Sequence, residues 1–473
     1  MSGAPSGFLG KLSAERPVIL SGVLGLGLVV LAVLGARQMG PTADTNTFLI
    51  RFSISALIAG FVPVALAAFA PRRRLFRIPY VIVLALLGAL CCAYVFGFFG
   101  DQTDIVPSLP VCAALGLFLF LSALHPITRN VLRLGVVVPL SIIIGGVGAI
   151  GFFALLDVLT APFAAPALAI GLAGGMCVGM SVAAEFAQLY AKGLSARNAA
   201  ASAGHAALAP AWFCFLAATS YGLVVSLQLN VGAIDWQIIF AVAGTSILIS
   251  VMSLVSTTGL LAVLRHSEQV AVDENQRRQR FVESWRPMRR LLPSSTALAA
   301  SAIIGVLVVI AAFETGIANP LSLILFIGMM MVASGAAFVS VRTSLLIALM
   351  LFISTTFAGF VYSAFGFEIP TLADRTAGLT LAAIGFTQIT VSWRNAGDIW
   401  RNARDVAQNA MCDGLRRFVV VIGTSAAALI VATEAFSWDA GLSTASYFAV
   451  VAGIGLFMSP VLMVAMSAQL QKY

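Results

Sequence analysis

Few residues in this sequence are of a type that does chemistry, and their setting narrows what that chemistry can be. Glu185 stands inside an apolar run at 165–190 that is long enough to cross a bilayer. An ionisable group in such a place is costly and is by default a functional candidate. Two roles compete for it. One is ion coupling or gating; the other is a carboxylate reaching the cytoplasmic interface to pair with Lys192 or Arg197. Ser246, Ser250, Ser253 and Thr257 recur at helical spacing in a second run, with Thr245 and Ser256 beside them. A third run holds Ser354, Thr355 and Thr356, then Tyr362 and Ser363. Hydroxyls in a helix either bond the carbonyl one turn back or line a polar path. Glu185, Ser246, Ser250, Ser253, Thr257 and Thr355 therefore form a candidate substrate path. Gly171, Gly175 and Gly179 repeat every fourth residue. Their missing side chains allow a neighbouring helix to approach closely, so they are expected to be a packing face.

Other chemistries lack their residues. The sequence has no phosphate-cradling glycine loop, no HExxH and no GxSxG, so an enzyme is not expected. Asp101 and Asp104 are the nearest thing to a catalytic carboxylate pair, and they read as caps of an external turn. His125 and His205 sit at expected span ends without other metal-type ligands nearby, and no metal or other cofactor is expected. Cys91, Cys92, Cys112, Cys177 and Cys214 fall in or beside apolar runs and read as small buried hydrophobes; Cys412 shows no ligand spacing either. The net charge of +8 does not indicate nucleic acid, because the basic residues are spread through short loops.

The elements that must position these residues follow from composition. Of 473 residues, 60% are hydrophobic and only 10% charged, and the mean hydropathy is +1.01. A soluble domain carries about 25% charged residues. Long apolar runs in lipid must be helices, because every backbone amide has to be paired internally. The expected fold is an all-α polytopic membrane protein with about fourteen transmembrane helices. The runs fall at 17–36, 48–70, 78–100, 108–126, 134–157, 165–190, 206–228, 237–264, 294–316, 320–341, 343–366, 374–393, 418–435 and 443–467. Only Arg342 separates the tenth from the eleventh. With the N-terminus inside, all but Arg37, Arg51 and Arg375 of the 27 basic residues fall on the cytoplasmic side. That bias supports both the span count and the orientation. The expectation is a multi-pass protein of the inner (cytoplasmic) membrane with both termini cytoplasmic. Acidic residues gather in outside turns: Asp101 with Asp104, Asp235, Glu368 with Asp374, and Glu434 with Asp439. Arg51 and Arg342, near span ends, are expected to snorkel to the headgroups.

The layout has four parts. Residues 1–77 hold an N-terminal segment and two extra helices. Residues 78–264 and 294–473 are two pseudo-repeated six-helix bundles. Residues 265–293 between them form a basic linker or a helix lying on the membrane surface, with Phe281 and Trp285 at headgroup level. The repeat shows at an offset of 207 residues: Ala196 matches Ala403, Arg197 Arg404, Ala200 Ala407, Ala203 Ala410 and Leu208 Leu415. Two-fold repeats of helical bundles are a common transporter architecture, with the working site between the halves.

The stretch AIGLAGGMCVGMSVAAEFAQLYAKGLSARNAAASAGHAALAPAWFCFLAATSYG resembles the region from the fourth to the fifth span of the resistance-nodulation-division superfamily, particularly its lipid-exporting MmpL-like and sterol-sensing branches. So does LAAIGFTQITVSWRNAGDIWRNARDVAQNAMCDGLRRFVVVIGTSAAALIV in the second half. The shared pattern is a glycine-rich span, a basic amphipathic helix and a span rich in small and hydroxyl residues. The resemblance covers 78–467. It implies a membrane domain without the large extracytoplasmic domains, since the turns at 101–108 and 316–320 are too short to hold them. Proton-driven members carry aspartate after the glycine motif. Here 175–182 and Gly385, Phe386 and Thr387 hold no carboxylate, so the superfamily's usual relay has no residue to run on.

These readings converge on an integral membrane transporter-like protein for a lipid-like or hydrophobic substrate, without the usual proton relay. A fourteen-span flippase for lipid-linked polysaccharide and a non-transporting scaffold or sensor are the alternatives. Expected partners are membrane lipids, and either partner membrane proteins or further copies of the chain.

Overall fold

The computed structural model describes Gly27 and residues 132–158, 161–191, 194, 196–229, 234–263, 320–338, 340–397, 402–436 and 440–470. The expected spans at 17–36 (apart from Gly27), 48–70, 78–100, 108–126 and 294–316 lie outside the described residues. So do the basic linker, Asp101, Asp104, Arg51, His125, Cys91, Cys92 and Cys112.

Ten helices account for the described chain: α1 Leu132–Leu155, α2 Ala164–Ala191, α3 Ala196–Ala206, α4 Leu208–Leu229, α5 Trp236–Val263, α6 Pro320–Phe338, α7 Val341–Phe365, α8 Leu372–Gly397, α9 Ala403–Phe436 and α10 Gly441–Leu470. No strand occurs among the described residues. Five helical stretches are long and apolar enough to cross a membrane: Ala164–Tyr190, Asn198–Leu229, Trp236–Gly259, Val341–Phe365 and Gly441–Ser467. Large apolar side chains stand exposed on them, including Trp212, Phe240, Phe360 and Phe457. Such a surface suits lipid and not water. The chain is a multi-pass helical membrane protein.

Helix ends follow local chemistry. Arg342 does mark a boundary. Ser340 caps α7 from an extended conformation, its hydroxyl accepting from the Thr343 amide at 3.4 Å. Arg342 itself is exposed. Gly366 ends α7 in the left-handed region at φ 67°. There the Gly366 and Phe367 amides close on the Ser363 and Tyr362 carbonyls at 3.3 and 3.0 Å. Asp157 does the same work after α1 at φ 57°, as an acidic residue tolerant of that conformation. Between α3 and α4 the helix breaks at Ala207, three residues ahead of Pro210. Pro210 then stands in the first turn of α4, where the amide it lacks would have no carbonyl of the same helix to meet. The second half has Arg417 at the equivalent place, and there α9 runs on unbroken for 34 residues. The separate amphipathic helix expected before the 418–435 span is thus the first part of that span's own helix.

The chain divides into two compact units. One comprises Met1–Ala211, Phe240–Asn275 and Gly423–Trp438; the other Trp212–Ile239, Gln276–Ile422 and Asp439–Tyr473. Each has a central helix. In the first it is α2, buried at every residue through 171–180; in the second it is α8, buried at every residue through 376–390.

Helix boundaries in the two halves keep nearly constant separation. α5 and α10 begin 205 residues apart, at Trp236 and Gly441. α2 and α8 begin 208 apart, at Ala164 and Leu372.

Candidate functional site

The glycine face and the hydroxyl stripe of the first unit meet. A Cβ on Gly171 would stand 2.7 Å from Ile249 Cδ1 and 3.1 Å from Thr245 Cγ2. On Gly175 it would stand 2.7 Å from Ile249 Cγ2, and on Gly179 2.7 Å from Ser253 Oγ and 3.5 Å from Thr257 Oγ1. Gly145 of α1 closes the same knot, where a Cβ would come within 2.9 Å of the Ile249 backbone. The three glycines are a packing face for α5, and Ile249 fills the groove they leave. Ser253 uses the closeness, its hydroxyl donating to the Gly175 carbonyl at 2.7 Å. Thr245 bonds its own helix, at Ala241 O, 2.9 Å. Ser246, Ser250 and Thr257 are buried and have no hydrogen-bond partner among the described residues. A buried hydroxyl left unpaired costs free energy that helix packing alone does not return.

Glu185 lies on α2 toward its C-terminal end and is half-buried. The side chains of Lys192 and Arg197 lie outside the described residues. His205 is exposed on α3.

The second unit holds a buried charged cluster. Sequence reading put Asp374 in an exposed outside turn and left Arg375 as an exception to the charge bias. The structure buries both, at 8% and 5% exposure, in the first turn of α8. The physical reason is a cap. Thr371 accepts from the Asp374 amide at 3.3 Å and gives its own hydroxyl proton to the Asp374 carboxylate at 2.5 Å. This fixes the carboxylate against the helix start, where the helix dipole favours negative charge. Glu368, in the loop before it, stays exposed.

Three further helices contribute. Thr444 of α10 directs its hydroxyl at the Asp374 carboxylate. Tyr221 of α4 and Tyr447 of α10 are both buried; Tyr221 lies within electrostatic range of Asp374, and Tyr447 of Arg375. Tyr362 of α7 shares a hydrogen bond with Ser446 at 2.7 Å and packs edge-on against Tyr447, centroids 5.9 Å apart. Thr355, the candidate from α7, stands beside the Tyr447 hydroxyl. Gly378 opens the space for this, since a Cβ there would come within 3.1 Å of the Tyr447 ring. Thr355 is thus brought beside Tyr447 in this cluster. The signal that could have found the cluster was the sequence Thr-x-x-Asp at 371–374, a helix-start pattern.

The hydroxyls of α8 also escaped notice. Thr376, Thr380, Thr387, Thr390 and Ser392 are buried, and each bonds a carbonyl three or four residues back at 2.6–2.9 Å.

Neither a protein-family model nor a curated protein sequence matches the chain. Among solved structures it is similar to SecDF, a translocon-associated membrane protein from Thermus thermophilus, at 10% identity and a TM-score of 0.46. The match covers 77% of this chain and 64% of SecDF.

Proposed function

We propose that this chain is a transporter-like inner-membrane protein of about fourteen spans whose two halves are related bundles, handling a substrate with a hydrophobic body and few polar groups. The observation that carries the reading is an interior that is polar but hardly charged. Along α5 the buried polar groups are hydroxyls, and Ser246, Ser250 and Thr257 have no hydrogen-bond partner among the described residues. Hydroxyls can bond a passing ester or alcohol, and cannot discharge an ion. The constant helix spacing at an offset near 207 supports the related halves, and with them kinship to the resistance-nodulation-division superfamily. The bilayer-centre parts of 165–190 and 374–393 hold no acid, lysine or histidine, so the superfamily's proton relay is not the energy source.

The test is movement of a fluorescent phospholipid between leaflets in proteoliposomes. Wild type moves it, and the combined variant Ser246→Ala, Ser250→Ala, Thr257→Val moves it several-fold more slowly at unchanged folding. If neither moves lipid, the transport reading falls. A second reading, a scaffold or sensor that binds lipid or partner proteins, then takes its place. The close packing of Gly171, Gly175 and Gly179 on α5 favours that one, because it leaves the α2–α5 seam no width for a passenger.

A further inference from the structure

We infer that Asp374, Thr371 and Thr444 form a binding site for a monovalent cation at the N-terminal end of α8. The inference stands apart from transport and needs no moving substrate.

The starting point is a buried carboxylate that the helix start and a threonine hydroxyl favour but that has no full counter-charge on it among the described residues. The Asp374 carboxylate is buried, and its neighbours among the described residues are hydroxyls: Thr371, Thr444 and Tyr221. Arg375 follows it in sequence but does not answer it. Consecutive residues of a helix point about 100° apart, and the group in electrostatic range of Arg375 is Tyr447, on α10. A lone carboxylate in a low-dielectric interior is stabilised by a counter-charge or loses its charge.

The second observation comes from a different helix. Thr444 is fully buried on α10 with its hydroxyl toward the Asp374 carboxylate, too far for a close hydrogen bond, and its oxygen has no other partner among the described residues. Thr371 closes directly on the same carboxylate from the other side at 2.5 Å. Its oxygen keeps a lone pair after donating that proton. Carboxylate and hydroxyl oxygens converging from α8, its capping residue and α10 are the hard donors an alkali cation takes. One carboxylate neutralises one positive charge. A divalent ion would leave a net charge in the bilayer edge, so the site is suited to a monovalent ion such as Na⁺.

The experiment is thermal unfolding of the full chain in nanodiscs, with Na⁺ titrated against choline at constant ionic strength and parallel arms in K⁺ and Li⁺. Na⁺ should raise the melting temperature saturably, by about 5 °C. Asp374→Asn should abolish the rise. Thr444→Val keeps the carboxylate, and should raise the half-maximal Na⁺ concentration roughly tenfold, as loss of one ligand would. If Asp374→Asn fails to fold, the Thr444→Val shift decides alone. A melting temperature indifferent to every cation overturns the site. So does an equal rise in wild type and Thr444→Val, or a response to pH in sodium-free buffer with none to Na⁺, which would mean that a proton fills the role.

Discussion

The α2–α5 contact within 164–263 and the α8–α10 contact within 372–470 are both close helix packings, and they distribute their small and hydroxyl residues differently. In the first, the central helix α2 carries the glycines and its partner α5 carries the hydroxyls. In the second, both partners carry both: Gly378 stands among the hydroxyls of α8 and faces Tyr447 and Phe448, and α10 carries Gly455 with Thr444 and Ser459. A Cβ on Gly455 of α10 would collide with the Phe386 ring of α8 and come within 2.9 Å of Ser354 Oγ. Close helix approach in lipid requires a small residue on one side, but it does not specify which side. The partners also differ at one aligned position. Ser253 ties α5 to the Gly175 carbonyl, whereas 207 residues on α10 has Pro460, inside the helix. Pro460 cannot donate to the Leu456 carbonyl, and the Ser459 hydroxyl takes that acceptor instead, at 2.8 Å. One half has an interhelical tie where the other has a proline. The buried Asp374 and Arg375 have Ala167 and Leu168 at the matching places, so the charged cluster belongs to the second half alone.

The sharpest break of the comparison would come from topology. Cysteines introduced at Glu368 and at Asn402 of a cysteine-free chain should label oppositely from outside intact cells, fully at the first and not at the second. Equal labelling would destroy the parallel between the halves.

Next in size are the glycines. Gly455→Ala forces the Phe386 ring, stacked on Phe418 at 5.8 Å, to move, and should cost about 3 kcal/mol in thermal unfolding. Gly145→Ala meets the Ile249 backbone and should cost about 2 kcal/mol. Gly453→Ala, with nothing within 4 Å, should instead stabilise by about 0.5 kcal/mol, as alanine suits a helix better. If Gly453 and Gly455 respond alike, close approach is not what Gly455 provides to the α8–α10 contact.

The smallest effects sharpen the contrast between the tie and the proline. Ser253→Ala should cost about 1 kcal/mol through its interhelical bond. Ser459→Ala should cost about 1 kcal/mol alone, and nearly nothing in a Pro460→Ala background, where an amide again serves Leu456. An additive pair would show that the Ser459 hydroxyl has no part in compensating the proline.

Much of this was legible in residue order. Apolar runs set the helices, because lipid leaves an unpaired backbone nowhere to go. Arg342 alone was enough to mark the break between α6 and α7, and the glycine period on α2 announced a packing face. Three things were not legible. The pairing of that face with the α5 stripe depends on residues some seventy positions apart, and no local pattern encodes it. The different distribution of glycines and hydroxyls in the two contacts was hidden for the same reason: each helix alone shows half of a contact. The burial of Asp374 ran against the reading of acids as loop residues. A carboxylate is sorted by what surrounds it, and here Thr371, Tyr221 and Thr444 arrive from the cap and two other helices. The sequence by itself determined the class, the helices and their order, because hydrophobic burial and backbone pairing act on every residue locally. Only the tertiary structure decided which polar groups are paired, which are left without a partner and which charge is buried, because those are properties of neighbours brought together by packing.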